Sequence, residues 1–290
     1  MKHASIFIPK ILKEILTGFA QVMLQPSFVV GAAFVGGALM NSFSLTVFGL
    51  VGCFFGTFVA YIGKFPKDET TEGLYGFNGA LVGLGIGYFY NTFWPFLIFV
   101  IIGGMVSSVI MYRMLRYNFK PLTFPFVLTT WAIIFIISAS GLMQLTPLSE
   151  SYTSSIKLFD SIFRGYGQVL FQENIITGFI FIAAIGIRNW IQGIYATLGT
   201  FIGLACGYFA ELPIEAINLG LFGYNGVLCG ILFAGKTGKD FISAVSAIIL
   251  SVAFVRLAHL LGIPALTFPF VISSWIILWG RKKFLFISDQ

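Results

Sequence analysis

Apolar residues run in long unbroken stretches along this chain, rather than in the narrow stripes that one-sided burial in water leaves on a helix or strand. A helix that crosses a bilayer needs ~20 mostly apolar residues. Runs of about that kind fall at 27–42, 44–62, 74–91, 94–112 and 121–147, and a second set at 174–187, 190–210, 218–235, 241–262 and 263–280. The first run of each set is short and follows an amphipathic or broken stretch, 15–26 and 162–173. The expectation is an all-α polytopic membrane protein with ten transmembrane helices.

The two sets are copies. Gly18, Gln21, Val22, Gln25 and Gly31 recur 147 residues later as Gly165, Gln168, Val169, Gln172 and Gly178. Gly73-Leu74-Tyr75-Gly76-Phe77-Asn78-Gly79 returns at the same offset as Gly220-Leu221-Phe222-Gly223-Tyr224-Asn225-Gly226. After a three-residue slip, Leu122-Thr123-Phe124-Pro125-Phe126-Val127 returns as Leu266-Thr267-Phe268-Pro269-Phe270-Val271, and Trp131 as Trp275. The chain is therefore divided at 1–147 and 148–290, two repeats of five helices each. An odd number of spans per copy puts the second copy in the membrane upside down, with a pseudo-two-fold axis in the membrane plane. In such folds the solute path lies between the repeats, lined by broken or re-entrant helices, so each repeat is expected to hold a re-entrant half-helix.

Composition agrees and narrows the function. The chain is 58% hydrophobic and 10% charged, against ~45–50% and ~25% in soluble domains, which excludes a soluble enzyme, a disordered chain and a nucleic-acid binder. The net charge of +6 becomes a question of orientation. Lys2, Lys10 and Lys13, then Arg113, Arg116 and Lys120, then Arg188, Lys236 and Lys239, and last Arg281, Lys282 and Lys283 all fall on one side of a ten-span chain. Glu150, Asp160, Glu211 and Glu215 fall on the other, with Lys157 and Arg164 as exceptions, and Arg256 fits poorly at the outer end of the ninth span. Basic loops mark the cytoplasm, so both termini are expected there. Cys53, Cys206 and Cys229 read as small apolar core residues, and His3 and His259 stand alone.

The repeated polar residues are all neutral: Gln21 and Gln168, Asn78 and Asn225, Thr123 and Thr267. Each must face protein or a wet cavity, since a polar group in hydrocarbon without a partner is costly. The Asn pair suits helix capping as well as a lining role. The Gln and Thr pairs suit a path. No carboxylate, Lys or Arg is among the repeated motif residues, which argues against an ion-coupled carrier, and no nucleophile, metal cluster or carboxylate pair marks an enzyme. No cofactor is implied. Phe77 and Tyr224, one ring from each half beside oxygen acceptors from each half, suit a slot for a small, flat, neutral solute rich in N–H donors.

The residues resemble the urea transporter family over essentially the whole chain. Its repeated Leu-Pro-x-x-Thr-x-Pro-Phe signature is matched by Ile263-Pro264-Ala265-Leu266-Thr267-Phe268-Pro269-Phe270, with Ile for Leu, and by the Thr-x-Pro-Phe core of Phe119-Lys120-Pro121-Leu122-Thr123-Phe124-Pro125-Phe126. The resemblance implies a ten-helix inverted repeat assembled as a homotrimer, and passive, channel-like transport of urea through a slot walled by rings and edged by oxygens. Carried over, the oxygen ladders hold Gln21 and Gln168. The walls hold Leu24, Val169, Phe77 and Tyr224, with Leu81 and Leu228 further along and Thr123 and Thr267 at the narrow middle. Leu24 stands where the family often has Phe, and Tyr224 adds a hydroxyl to a plain ring. The expected setting is a lipid bilayer, the inner membrane of a bacterium. A channel for ammonia or a short amide is the alternative.

Overall fold

A computed structural model describes residues 9–145 and 155–288, with side chains described to residue 281. Lys2, His3 and Glu150 lie outside the described residues, as do the side chains of Lys282 and Lys283. The described residues form helices and no strands. The first half holds α1 (Lys10–Gln21), α2 (Phe28–Asn41), α3 (Phe43–Ile62), α4 (Lys67–Thr71), α5 (Phe77–Phe89), α6 (Leu97–Arg116) and α7 (Phe124–Ser140). The second holds α8 (Leu158–Gly167), α9 (Ile175–Arg188), α10 (Trp190–Phe209), α11 (Ile214–Asn218), α12 (Tyr224–Phe233), α13 (Gly238–Leu260) and α14 (Phe268–Ser288). From α2 to α4, each helix starts and ends 147 residues before its counterpart.

Local chemistry sets the shared boundaries. Ser42 separates α2 from α3 and caps α3, its hydroxyl accepting from the Leu45 N–H. Asn189 does the same between α9 and α10, accepting from the Ile191 and Gln192 N–H groups. Such side chains satisfy N–H groups that a helix start leaves without a carbonyl.

Helix lengths qualify the expectation of full-length spans. Among the described residues three helical segments are long and apolar enough to cross a bilayer alone: Phe43–Ile62, Trp94–Arg116 and Gly238–Leu260. α10, with 20 residues, is as long as the first of these but does not meet the same test, and most of the others are shorter. α12 has 10 residues, or ~15 Å at 1.5 Å per residue, about half of a ~30 Å hydrocarbon core. The missing length at α5 and α12 is taken up by the turns 73–76 and 220–223 and the short helices α4 and α11 before them. Leu158–Leu170 and Ile175–Arg188 pass as a bent pair, broken by 76°.

Glycine lets these helices touch backbone to backbone. A Cβ on Gly79 of α5 would lie 2.3 Å from the carbonyl oxygen of Gly52 in α3, and one on Gly226 of α12 would lie 2.5 Å from that of Gly199 in α10. Neither position tolerates a side chain without moving a helix. Cys53 and Cys229 are buried, their thiols 3.4 Å and 3.6 Å from the carbonyls of Ile15 and Ala247.

The two halves meet along two seams. On the first, α2 lies against its own counterpart α9. Arg188 donates to the Pro26 carbonyl, Phe34 packs on Phe181 with centroids 4.7 Å apart, Thr177 donates to the Gly37 carbonyl, and Asn41 donates to Gln172. As numbers rise along α2 they fall along α9, so the helices are antiparallel. On the second seam α7 meets α14: the Trp131 indole donates to the Pro264 carbonyl at 2.9 Å, and the Trp275 indole to the Lys120 carbonyl at 2.8 Å.

Candidate functional site

Gln21 and Gln168 sit where α1 and α8 stop. Each helix ends in one tight turn closed by a residue in the left-handed region, Leu24 (φ 57) and Phe171 (φ 57). The Gln25 N–H returns to the Ala20 carbonyl at 3.2 Å and the Leu24 N–H to Gln21 at 2.9 Å; the Gln172 and Phe171 N–H groups repeat this at 3.0 and 3.1 Å. Glycine is usual at such a terminus. A non-glycine residue there costs of order 1–3 kcal/mol and persists where the surroundings enforce it. The amides of Gln25 and Gln172 help to enforce it by donating to the Met23 and Leu170 carbonyls. The strained turns hold Leu24 and Phe171 half-buried beside the two glutamines.

Phe171 is the ring that sequence reasoning passed over. It stands 147 residues after Leu24, so the repeat register marks it as the counterpart of that wall candidate. Val169 is buried in the apolar core, like Val22. Phe171 packs against Tyr88 (centroids 5.4 Å), Phe89 (6.0 Å) and Phe126 (6.3 Å).

The threonines meet. Thr267 donates its hydroxyl to Thr123 Oγ1 at 2.6 Å, and both are almost fully buried. Thr123 stands at the N-cap of α7, where a threonine hydroxyl ordinarily accepts an N–H of the first turn, but it makes no such bond. Asn78 from α5 supplies it, its Oδ1 accepting from the Phe126 N–H at 3.1 Å. Asn225 from α12 serves the Phe270 N–H of α14 at 3.0 Å. The asparagines are therefore caps reaching across from neighbouring helices, which leaves the Thr123 hydroxyl free to meet Thr267.

A cavity of about 420 Å³ opens next to this point, with Gln168, Phe171, Tyr224 and Leu266 in its wall. Leu81 and Leu228 are fully buried, and neither they nor Gln21, Leu24, Phe77 and Thr123 line it. Arg256, which fitted the charge pattern poorly, lines it with His259. Tyr88 also lines it and ties in the nearest carboxylate, donating to Glu173 at 2.8 Å. The two glutamines differ in their bonding: Gln21 Nε2 donates to the Glu72 carbonyl at 2.9 Å, while the buried Gln168 Nε2 has no partner among the described residues.

Apart from Arg256 and His259, the described lining of this cavity is uncharged and largely apolar. The family model for the urea transporters matches residues 12–282. The chain belongs to the urea transporter family. Its members are transporters, not enzymes, and this one is a multi-pass membrane protein. It is similar to urea transporter 1 of Mus musculus, 27% identical over 298 residues that cover 93% of this chain and 77% of that one. Urea transporter 1 of Ovis aries is 25% identical over 297 residues, again 93% and 77%, and that of Rattus norvegicus 25% over 293 residues, 91% and 75%.

Proposed function

We propose that the chain carries urea passively across a bacterial inner membrane, through a slot between two inverted repeats. The single observation that carries this reading is the cavity lined by Gln168, Phe171, Tyr224 and Leu266, next to the threonine pair that joins the halves. Urea sheds water at the mouth and trades hydrogen bonds for the side-chain oxygens of Gln168 and Tyr224, since an unsatisfied N–H costs ~1–3 kcal/mol. Its flat faces rest on Phe171 and on aliphatic wall. The threonine pair stands at the narrow middle, and Gln21, Leu24 and Phe77 form the matching steps of the first half, with Val169, Leu81 and Leu228 behind the walls. Ions are turned away because neutral dipoles do not repay their dehydration.

The inverted ten-span layout, divided at 1–147 and 148–290, is supported by self-matching contacts. Phe34 meets its equivalent Phe181, Thr123 meets Thr267, and the two tryptophan bonds exchange under the same operation. Equivalent helices that pack antiparallel, as α2 and α9 do, are what a two-fold axis in the membrane plane produces. The basic residues pair at shared ends, Arg116 with Glu69 and Arg281 with Asp240, in keeping with termini in the cytoplasm. A homotrimer in lipid, one path per subunit, completes the reading.

Ammonia or a short amide would find the same acceptors, so the test is selectivity. Flux of urea, formamide and ammonia into proteoliposomes is expected to favour urea over both relative to protein-free vesicles. Equal or lower urea permeability overturns the assignment in favour of the alternative solutes.

A further inference from the structure

One difference between the two copies lies next to the repeated asparagines. Phe77 of the first half is replaced by Tyr224 in the second. The Tyr224 hydroxyl donates to the Leu266 carbonyl at 2.5 Å, and Asn225 Nδ2 donates to the same oxygen at 3.3 Å. A carbonyl has two lone pairs, so Leu266 is fully engaged. Its equivalent, Leu122, is held in the same left-handed conformation (φ 52, against φ 48 for Leu266). Phe77 has no hydroxyl to give it, and Asn78 Nδ2 faces Met111 Sδ at 3.7 Å instead. No described residue donates to the Leu122 carbonyl.

Building on the urea reading, we propose that Tyr224 is a specificity-determining residue that makes the two halves of the path unequal. On the first-half side a solute N–H finds the bare Leu122 carbonyl. On the cavity side the Leu266 carbonyl is already taken, and the acceptor on offer is the phenol oxygen. Its own proton is committed to Leu266, so it can accept an N–H but not donate one. The hydroxyl also occupies space in the cavity wall beside Leu266 and Gln168. The cavity-side step therefore selects a flat solute that presents N–H, with no bulk on its nitrogen. N-methylurea, with a methyl in place of one N–H, is the discriminating probe.

The test compares N-methylurea and urea permeability in proteoliposomes for the wild type, Tyr224→Phe and Phe77→Tyr, with thermal unfolding of each protein in detergent. Tyr224→Phe frees one lone pair of the Leu266 carbonyl and removes the hydroxyl's bulk, so the methylurea-to-urea ratio is expected to rise at least about threefold, with a modest fall in melting temperature from the lost hydrogen bond. Phe77→Tyr brings a hydroxyl to the Leu122 carbonyl and is expected to lower the ratio. Ratios unchanged in both variants, or a Tyr224→Phe loss of flux equal for the two solutes, overturn the proposal. A wild type that carries no urea overturns the parent reading and this one with it. A wild type that carries urea, with an unchanged ratio in the variants, overturns this one alone.

Discussion

Replacing Thr267 by Val separates what the threonine pair does for the fold from what it does for the solute. The 2.6 Å bond between Thr267 and Thr123 is buried, with 2% and 1% of the two residues exposed. Valine keeps the shape and removes one hydroxyl, leaving Thr123 Oγ1 enclosed with no partner. An orphaned buried polar group costs ~1–3 kcal/mol, while replacing both partners by apolar groups of the same shape is close to neutral. Stability is therefore expected to fall by about 1–3 kcal/mol in Thr267→Val and in Thr123→Val, and to return towards the wild type in the double variant. Flux is expected to behave oppositely. On the proposed path, each hydroxyl offered to urea contributes ~0.5–1.5 kcal/mol net, so each loss is expected to slow urea about two- to tenfold, with the double variant slowest of all. The assay pairs unfolding of the purified variants with stopped-flow urea flux, corrected for protein reconstituted. A double variant that recovers both stability and flux refutes the reasoning, because the hydroxyls then serve only each other. Additive loss of stability refutes the pairing itself.

Three further outcomes follow from other parts of the fold. Gly79→Ala is expected to lower stability by about 1–3 kcal/mol through overpacking, since its Cβ would press on the Gly52 carbonyl, whereas Gly36→Ala, with nothing within 4 Å, is expected to leave melting unchanged or slightly raised. Asn225→Leu is expected to destabilise more than Asn78→Leu: it strips the Phe270 N–H of its acceptor and removes one of two donors from Leu266, while Asn78 shares only the capping duty and a weak thioether contact. Comparative thermal unfolding reads this order. In a Cys206→Ser background, which keeps the buried Cys53 and Cys229, a cysteine at Lys239 is expected to react with an impermeant thiol reagent only from the cytoplasmic side, and one at Pro213 only from the opposite side. Labelling of both from one side contradicts the topology.

Much of this was legible in the sequence, for physical reasons. The boundaries of α2 and α3 were readable because Ser42 and Asn189 are capping residues between apolar runs, and the repeat register carried across to α9 and α10. The short reach of α12 was not: Gly220 (φ 76) and the turn around it are as apolar as a helix, so hydropathy extended a span over a break. At the site, neutral polar residues buried in pairs could be picked out by the cost of leaving them alone. Their division of labour could not, because it depends on partners far along the chain. Asn78 serves Phe126, 48 residues away, which frees Thr123 for Thr267, 144 residues away. Phe171 carries a fainter mark than the Gly-Gln-Val motif before it: only the repeat register pairs it with Leu24, and its left-handed turn leaves no trace in hydropathy.

The central claim, passive passage of urea along a neutral path, is tested most directly by stopped-flow urea flux into proteoliposomes with and without an imposed proton gradient. The account predicts flux well above protein-free vesicles, rising linearly with the urea gradient and indifferent to protons. Uptake that saturates at low concentration and follows the proton gradient would contradict it.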